Sequence, residues 1–313
     1  MEFWKISEDI RVSRLQPPVG KRVRMVLDTD TFNEIDDQFA VVYALEAKDR
    51  MDVEAIYAAP FHNNRSTGPA DGMEKSYEEI QRLLGMLNQP ADGLTYRGSD
   101  RFLKDQNSPC ESDAARDLVR RAMDTPADAD PLYVVAIGAI TNVASAILIE
   151  PSIVERIVVV WLGGNALYWP STREFNLSQD IHASRLIFDC GVPLVHVPCQ
   201  NVVTHLATTL PELRHYLSGA GQIGDYLVEI VDQYRGDHGG SGTWSKVIWD
   251  IAAVAWLVSP RFVGTDLVHS PILTDQHTWS RSTSRHLIRT VTGLDRDAIF
   301  NDLFRRIRER ADD

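Results

Sequence analysis

Five carboxylates fall within ten positions of the chain: Asp28, Asp30, Glu34, Asp36 and Asp37. Side chains this crowded repel one another, and burying any one of them alone is costly. A bound cation removes the conflict, and an all-oxygen donor set selects a hard one, Ca²⁺ ahead of Mg²⁺. Helix capping by Asp36 and Asp37, which precede an apolar run, accounts for one or two of the five but not for all. A sixth carboxylate, Asp250, is the only charged residue in the apolar run Val247–Val258. That run should be buried on every face, so Asp250 needs a metal or a partner there unless it only caps its helix. Two more segments carry polar groups at the ends of apolar runs. The turn Gly138–Asn142 offers backbone carbonyls and Thr141, itself a candidate cap. Gly163-Gly164-Asn165 permits close backbone approach, and Glu174 and Asn176 beyond it suit hydrogen bonds to vicinal hydroxyls.

The elements that must position these groups alternate in type. Short β-branched runs predict strands at Val23–Leu27, Val53–Ala58, Leu132–Ile137, Ile157–Leu162 and Pro193–Val197. Helical patterns lie between them at Asp36–Ala47, Asp71–Leu87, Asp113–Met123, Asn142–Ile149 and Ile181–Asp189. Two further strands are expected between Val268 and Val291, then a helix from Asp295 to Arg310. The expectation is an α/β fold: an open, mostly parallel, twisted sheet with helices on both faces and a Rossmann-like core, formed by residues 1–313 as one domain. Right-handed crossovers then bring all the strand ends named above to one rim, where such sheets bind ligands. The glycine-rich stretch 235–243 reads as a mobile lid.

Composition narrows the partners. A net charge of −12 disfavours nucleic acid and anionic membranes. The longest apolar stretch, Ile251–Val258, is too short to span a bilayer, and the N-terminus lacks a signal-peptide pattern. Cys110, Cys190 and Cys199 have no metal-ligand spacing and read as buried thiols, in keeping with a cytoplasmic location.

Together these segments resemble the inosine–uridine nucleoside hydrolase family of Ca²⁺-dependent N-ribohydrolases. Asp28-Thr29-Asp30 with Asp36-Asp37 is similar to the family's opening Asp-x-Asp-Pro-Gly-x-Asp-Asp. Ile137–Ala144 resembles its Gly-Pro-Leu-Thr-Asn turn, and Gly163-Gly164 with Glu174-Phe175-Asn176 its Met-Gly-Gly and Glu-Phe-Asn elements. Asp250 stands where the family has His-Asp. The resemblance runs in order from about Val23 to Pro260. It implies that Asp30, Asp37, the Thr141 carbonyl and Asp250 hold Ca²⁺, with Asp30 also taking the proton from the attacking water. It further implies that Asp36, Glu174 and Asn176 hold the ribose hydroxyls, helped by Asp250, and that Asn63 and Asn165 contact the substrate. The partner implied is a small riboside, and the assembly a homodimer or homotetramer.

Three departures bear on the chemistry. The Asp30–Asp36 spacing is two residues longer than the family's, with Asn33-Glu34 in place of Pro-Gly. The Asn expected before Glu-Phe-Asn is absent, its approximate place taken by Tyr168 or Trp169. The His that protonates the leaving base in many members is Trp249 here. A purine-preferring branch has Trp at that place and activates the base by stacking; Trp249 could instead pack in the core. His62 and His238 are the substitute acids. Hydrolysis of another riboside, and a non-catalytic Ca²⁺- or sugar-binding role, are the alternatives within the family. A haloacid-dehalogenase-type phosphatase also opens on Asp-x-Asp but needs Thr or Val where Phe32 stands, and a downstream Lys and acidic pair that have no counterpart.

Overall fold

The computed structural model describes residues 3–239 and 242–312. Strands β1 (Val23–Thr29), β2 (Met51–Ala58), β3 (Thr95–Arg97), β4 (Leu132–Ala136), β5 (Ile157–Leu162), β6 (Leu194–Val197), β7 (Val263–His269) and β8 (Leu287–Leu294) form one sheet. Their order across it is β3-β2-β1-β4-β5-β6-β8-β7. Every neighbouring pair is parallel except the last, where β7 runs antiparallel along β8.

Alternation along the strands sends side chains to two separate cores. Met25, Leu27, Val135, Val158 and Val160 pack on one face, against helices Asp37–Glu46, Gly221–His238, Ile251–Val258 and Arg296–Asp312. Val26, Val134, Ala136, Val159 and Trp161 pack on the other, against Asp113–Met123, Thr141–Ile149 and Ile181–Asp189. Strands buried on both faces explain why they read as unbroken apolar runs. The chain moves outward from β1 to β2 and β3, then returns to place β4 on the other side of β1. That reversal opens a crevice at the carboxyl ends of β1 and β4, where open α/β sheets bind their ligands.

Several expectations shift. β1 continues two residues past Leu27, so Asp28 lies within the strand. The sheet gains the short edge strand β3, and β7 begins at Val263, ahead of Val268. The glycine-rich stretch is not a loop throughout: Arg235–His238 form the last turn of the 18-residue helix Gly221–His238. Gly240 and Ser241 lie outside the described residues. All three cysteines are buried and unpaired. Among the described residues no helix is long and apolar enough to cross a membrane.

Candidate active site

Asp28 and Asp30 leave the end of β1 at the switch point. Asp28 is fully buried and clamped: Asn142 Nδ2 donates to its Oδ1 at 2.7 Å and to the Ala58 carbonyl at 3.2 Å. Asn142 Oδ1 in turn accepts from the Ser99 amide and hydroxyl. Asp28 therefore ties β1, β2 and the helix after β4 into one rim, and burial pushes its carboxyl up to about 7. Asp30 is equally buried, yet neither carboxylate oxygen has a hydrogen-bond partner in the protein. Its carboxyl rests on Gly138, where a Cβ would stand only 3.0 Å from Asp30 Cγ and would press on the carboxylate. Desolvation, then the nearby charge of Asp37, raise its pKa well above the usual range.

Asp36 and Asp250 occupy the N-cap positions of helices Asp37–Glu46 and Ile251–Val258, but neither side chain makes a capping hydrogen bond. Both carboxylates turn away from their own helix. With Asp37 they form a buried group in which one oxygen from each residue lies within 4.8 Å of the others. Asp37 Oδ1 accepts from the Thr29 hydroxyl at 2.5 Å, and burial with the Asp36 charge pushes Asp37 up to about 8. Asp250 is raised well above its normal value by burial and by Asp36, Asp37 and Asp30. The capping account of Asp250 is therefore corrected. The carboxylate faces other carboxylates, while both helix N-termini direct their positive ends at the group.

Asp36, Asp37 and Asp250 open onto a cleft of about 330 Å³ lined also by Asn33, Glu34, Asn63, Asn165, Arg173, Glu174, Asn176, Gln200 and Trp249, among others, while Asp30 lies behind its lining. Eight of the expected site residues thus meet on one surface. Asn176 gives both amide hydrogens to the Ile137 and Leu162 carbonyls, at 2.9 and 3.1 Å, leaving Oδ1 for a ligand. Trp249 is half-buried against the core and its backbone N–H donates to Asp36 Oδ2 at 3.1 Å. Trp249 thus both packs on the core and lines the cleft.

Other expected contacts also line the cleft but are bonded within the protein. Glu174 caps the short helix Phe175–Gln179, accepting from Asn176, Leu177 and Gly164 backbone amides. Asn165 links Ser171 to Gln200, and Asn63 links Asn33 to Arg65. Thr141 is buried and its hydroxyl donates to Asp180 at 2.8 Å; it does not cap its helix, whose N-cap is Ile140. Neither substitute acid reaches this cleft. His62 is exposed, with its amide bonded to Gln179, and His238 stacks on Tyr234 in a neighbouring cleft. Tyr168 and Trp169 are exposed, and Tyr168 lines an apolar groove elsewhere; Arg173 and Gln200 stand at the acidic cleft instead. The sequence reading missed Lys246, 7% exposed, whose Nζ lies 2.6 Å from Glu34 Oε2. Its signal was phase: Lys246 and Ile248 are buried while Val247 and Trp249 between and after them are less so, the alternation of an extended segment.

The family model of the inosine-uridine preferring nucleoside hydrolases matches residues 25–301. The chain belongs to that family. Among individual nucleoside hydrolases, a probable uridine nucleosidase 2 of Arabidopsis thaliana is 26% identical over 243 residues, spanning 70% of this chain and 72% of that protein. The pyrimidine-specific ribonucleoside hydrolase RihA of Klebsiella pneumoniae is 25% identical, spanning 77% and 81%. A purine-preferring ribonucleoside hydrolase from Gardnerella vaginalis shares the fold, with a TM-score of 0.74 at 20% identity over 92% of this chain and 99% of that one. With the nucleoside hydrolase fold and family in hand, the phosphatase alternative falls away.

Proposed function

We propose that this nucleoside hydrolase cleaves the N-glycosidic bond of ribonucleosides, preferring purines, with Ca²⁺ at the acidic group. The observation that carries this is Asp30, a fully buried carboxylate with two bare oxygens, close enough to the compact group Asp36, Asp37 and Asp250 to feel their charge. A buried carboxylate without partners is costly, and an all-oxygen donor set fits a hard divalent cation. Asp30, Asp37, Asp250 and the Thr141 carbonyl would hold it. When bound, the cation would act as a Lewis acid that makes a water acidic enough to attack at neutral pH.

The chain's own groups then divide the work. Asp36 and Asn176 Oδ1 accept from the ribose hydroxyls and orient the sugar. Asp30 takes a proton as the water oxygen bonds to C1′. The C1′–N bond breaks, its electron pair passes to the base, and the surrounding carboxylates stabilise the positive charge that develops on the ribosyl carbon. Among the described residues no histidine lines the cleft. The base is therefore activated by stacking on Trp249 and takes its proton from solvent, which favours a wide purine ring.

Uridine is the fitting comparison substrate, since both sequence relatives above are named for pyrimidine or uridine substrates. Inosine should be hydrolysed faster than uridine, and a chelator should stop both. Trp249→Ala should lower kcat/KM for inosine by about two- to tenfold, the worth of a stacked ring, and leave uridine little changed. Equal activity on the two substrates, or an equal loss in the variant, would remove the stacking role. Failure to hydrolyse any riboside would remove the proposal as a whole.

A further inference from the structure

Lys246 is a buried cation behind two acids of the cleft, Glu34 and Asp36, that the reaction above leaves without a role. It sits in the short strand Lys246–Val247, paired antiparallel with Ala207–Thr208. Its ammonium lies 2.6 Å from Glu34 Oε2 and 3.6 Å from Asp36 Oδ1. The other Glu34 oxygen accepts from the Tyr234 hydroxyl at 2.9 Å. Glu34 is thereby fixed from the far side, and with it the position of Lys246.

Asp36 is consequently held at both oxygens: Oδ1 faces the Lys246 ammonium and Oδ2 takes the Trp249 amide. Asp30 has neither kind of contact. Yet by position Asp36 is as close to a cation site as any residue, since its carboxylate belongs to the compact group with Asp37 and Asp250. An ion placed there would draw in every free carboxylate, because affinity in oxygen sites rises with the number of charged ligands. Moving Asp36 into that shell would leave a buried ammonium with Glu34 alone and would strip the Trp249 amide of its acceptor.

We propose that Lys246 is a positioning residue that holds Asp36 out of the cation's coordination shell and aims it at the substrate. Both halves rest on the function proposed above, the substrate half on its riboside and the cation half on its Ca²⁺, and the two are read by separate measurements. The charge of Lys246 therefore sets how many carboxylates the ion can recruit. The same fixed cation keeps one carboxylate free to accept from a sugar hydroxyl.

The test is Lys246→Met in the full chain, with Ca²⁺ binding measured by calorimetry and riboside kinetics at saturating Ca²⁺. Expected is tighter Ca²⁺ binding together with a loss of about 10–100-fold in kcat/KM carried by KM, the usual scale for residues that orient a metal site. Lys246→Arg should restore both. A lysine that merely stabilises the fold would weaken Ca²⁺ binding and activity together, and that result overturns the proposal, as does an unchanged KM. If the Met variant does not fold, Lys246→Gln decides by the same two readouts, since it removes the charge beside Asp36 but keeps a donor for Glu34. Tighter Ca²⁺ binding with a raised KM supports the assignment, and parental values or a joint weakening refute it. If the chain turns over no riboside, the Ca²⁺ measurements alone still confirm or overturn the cation half.

Discussion

Asp30→Asn lowers turnover of any accepted riboside by about 10²–10⁴-fold, the range for loss of a general base, while the folded protein melts no lower than the parent. The second half of that expectation is what separates chemistry from structure. Asp30 makes no hydrogen bond through its carboxylate, so the carboxamide forfeits none. It also removes one of several like charges crowded beside Asp37 and Asp36, the groups that raise its pKa. Steady-state rates and a thermal melt in chelator test both halves. Parental rates in the variant would show that another group takes the proton.

A second large effect is expected when the cation is withheld and the pH is raised. Unfolded aspartates titrate near 4, whereas in the folded chain Asp28 is pushed up to about 7 and Asp37 to about 8, mainly by burial. Between those values the folded state binds more protons than the unfolded one. The stability contributed by the neutral carboxyls is then complete below about pH 4 and is lost as pH climbs through 7 and 8. In chelator, Tm should therefore fall from pH 5 to pH 8. Each kcal/mol lost is worth about 2 °C in a chain of this size. Adding Ca²⁺ at 100 times its Kd should return about 2.7 kcal/mol. At one fixed Ca²⁺ concentration the gain should be larger at pH 8 than at pH 5, where protons compete for the same oxygens and weaken binding. A melting temperature in chelator that does not change with pH, or no response to Ca²⁺, would contradict the cation assignment.

Much of this site was legible because its signals are local. The apolar runs of β1, β4 and β5 are buried on both faces, so the strands show plainly in the sequence to within two residues at their ends, and each leads into a motif. Asp250 stood out because charge inside an all-apolar run has few explanations. What stayed hidden depends on pairing across the chain. Lys246 finds Glu34 from 212 residues away, and no local pattern announces that contact. Asn63, Asn165 and Glu174 fall on the cleft as expected, but their polar atoms are claimed by loop amides and carbonyls that only the fold brings near. His62 and His238 looked suitable by type alone; the loop after β2 and the last turn of a long helix carry them outward. The edge strand β3 has three residues, too few for a periodic pattern.

The uncapped starts of helices Asp37–Glu46 and Ile251–Val258 also bear on how this protein could evolve. A serine or asparagine satisfying those amides is typically worth about 0.5–2 kcal/mol, and here it would also relieve electrostatic repulsion. Residues 36 and 250 are therefore places where the chain can become sturdier by giving up its chemistry. A library selected for heat resistance alone should drift to hydroxyl and amide side chains at these two positions and yield hardy, inactive proteins. Selection that demands turnover as well must find its robustness elsewhere, because the acids persist only while catalysis is being rewarded.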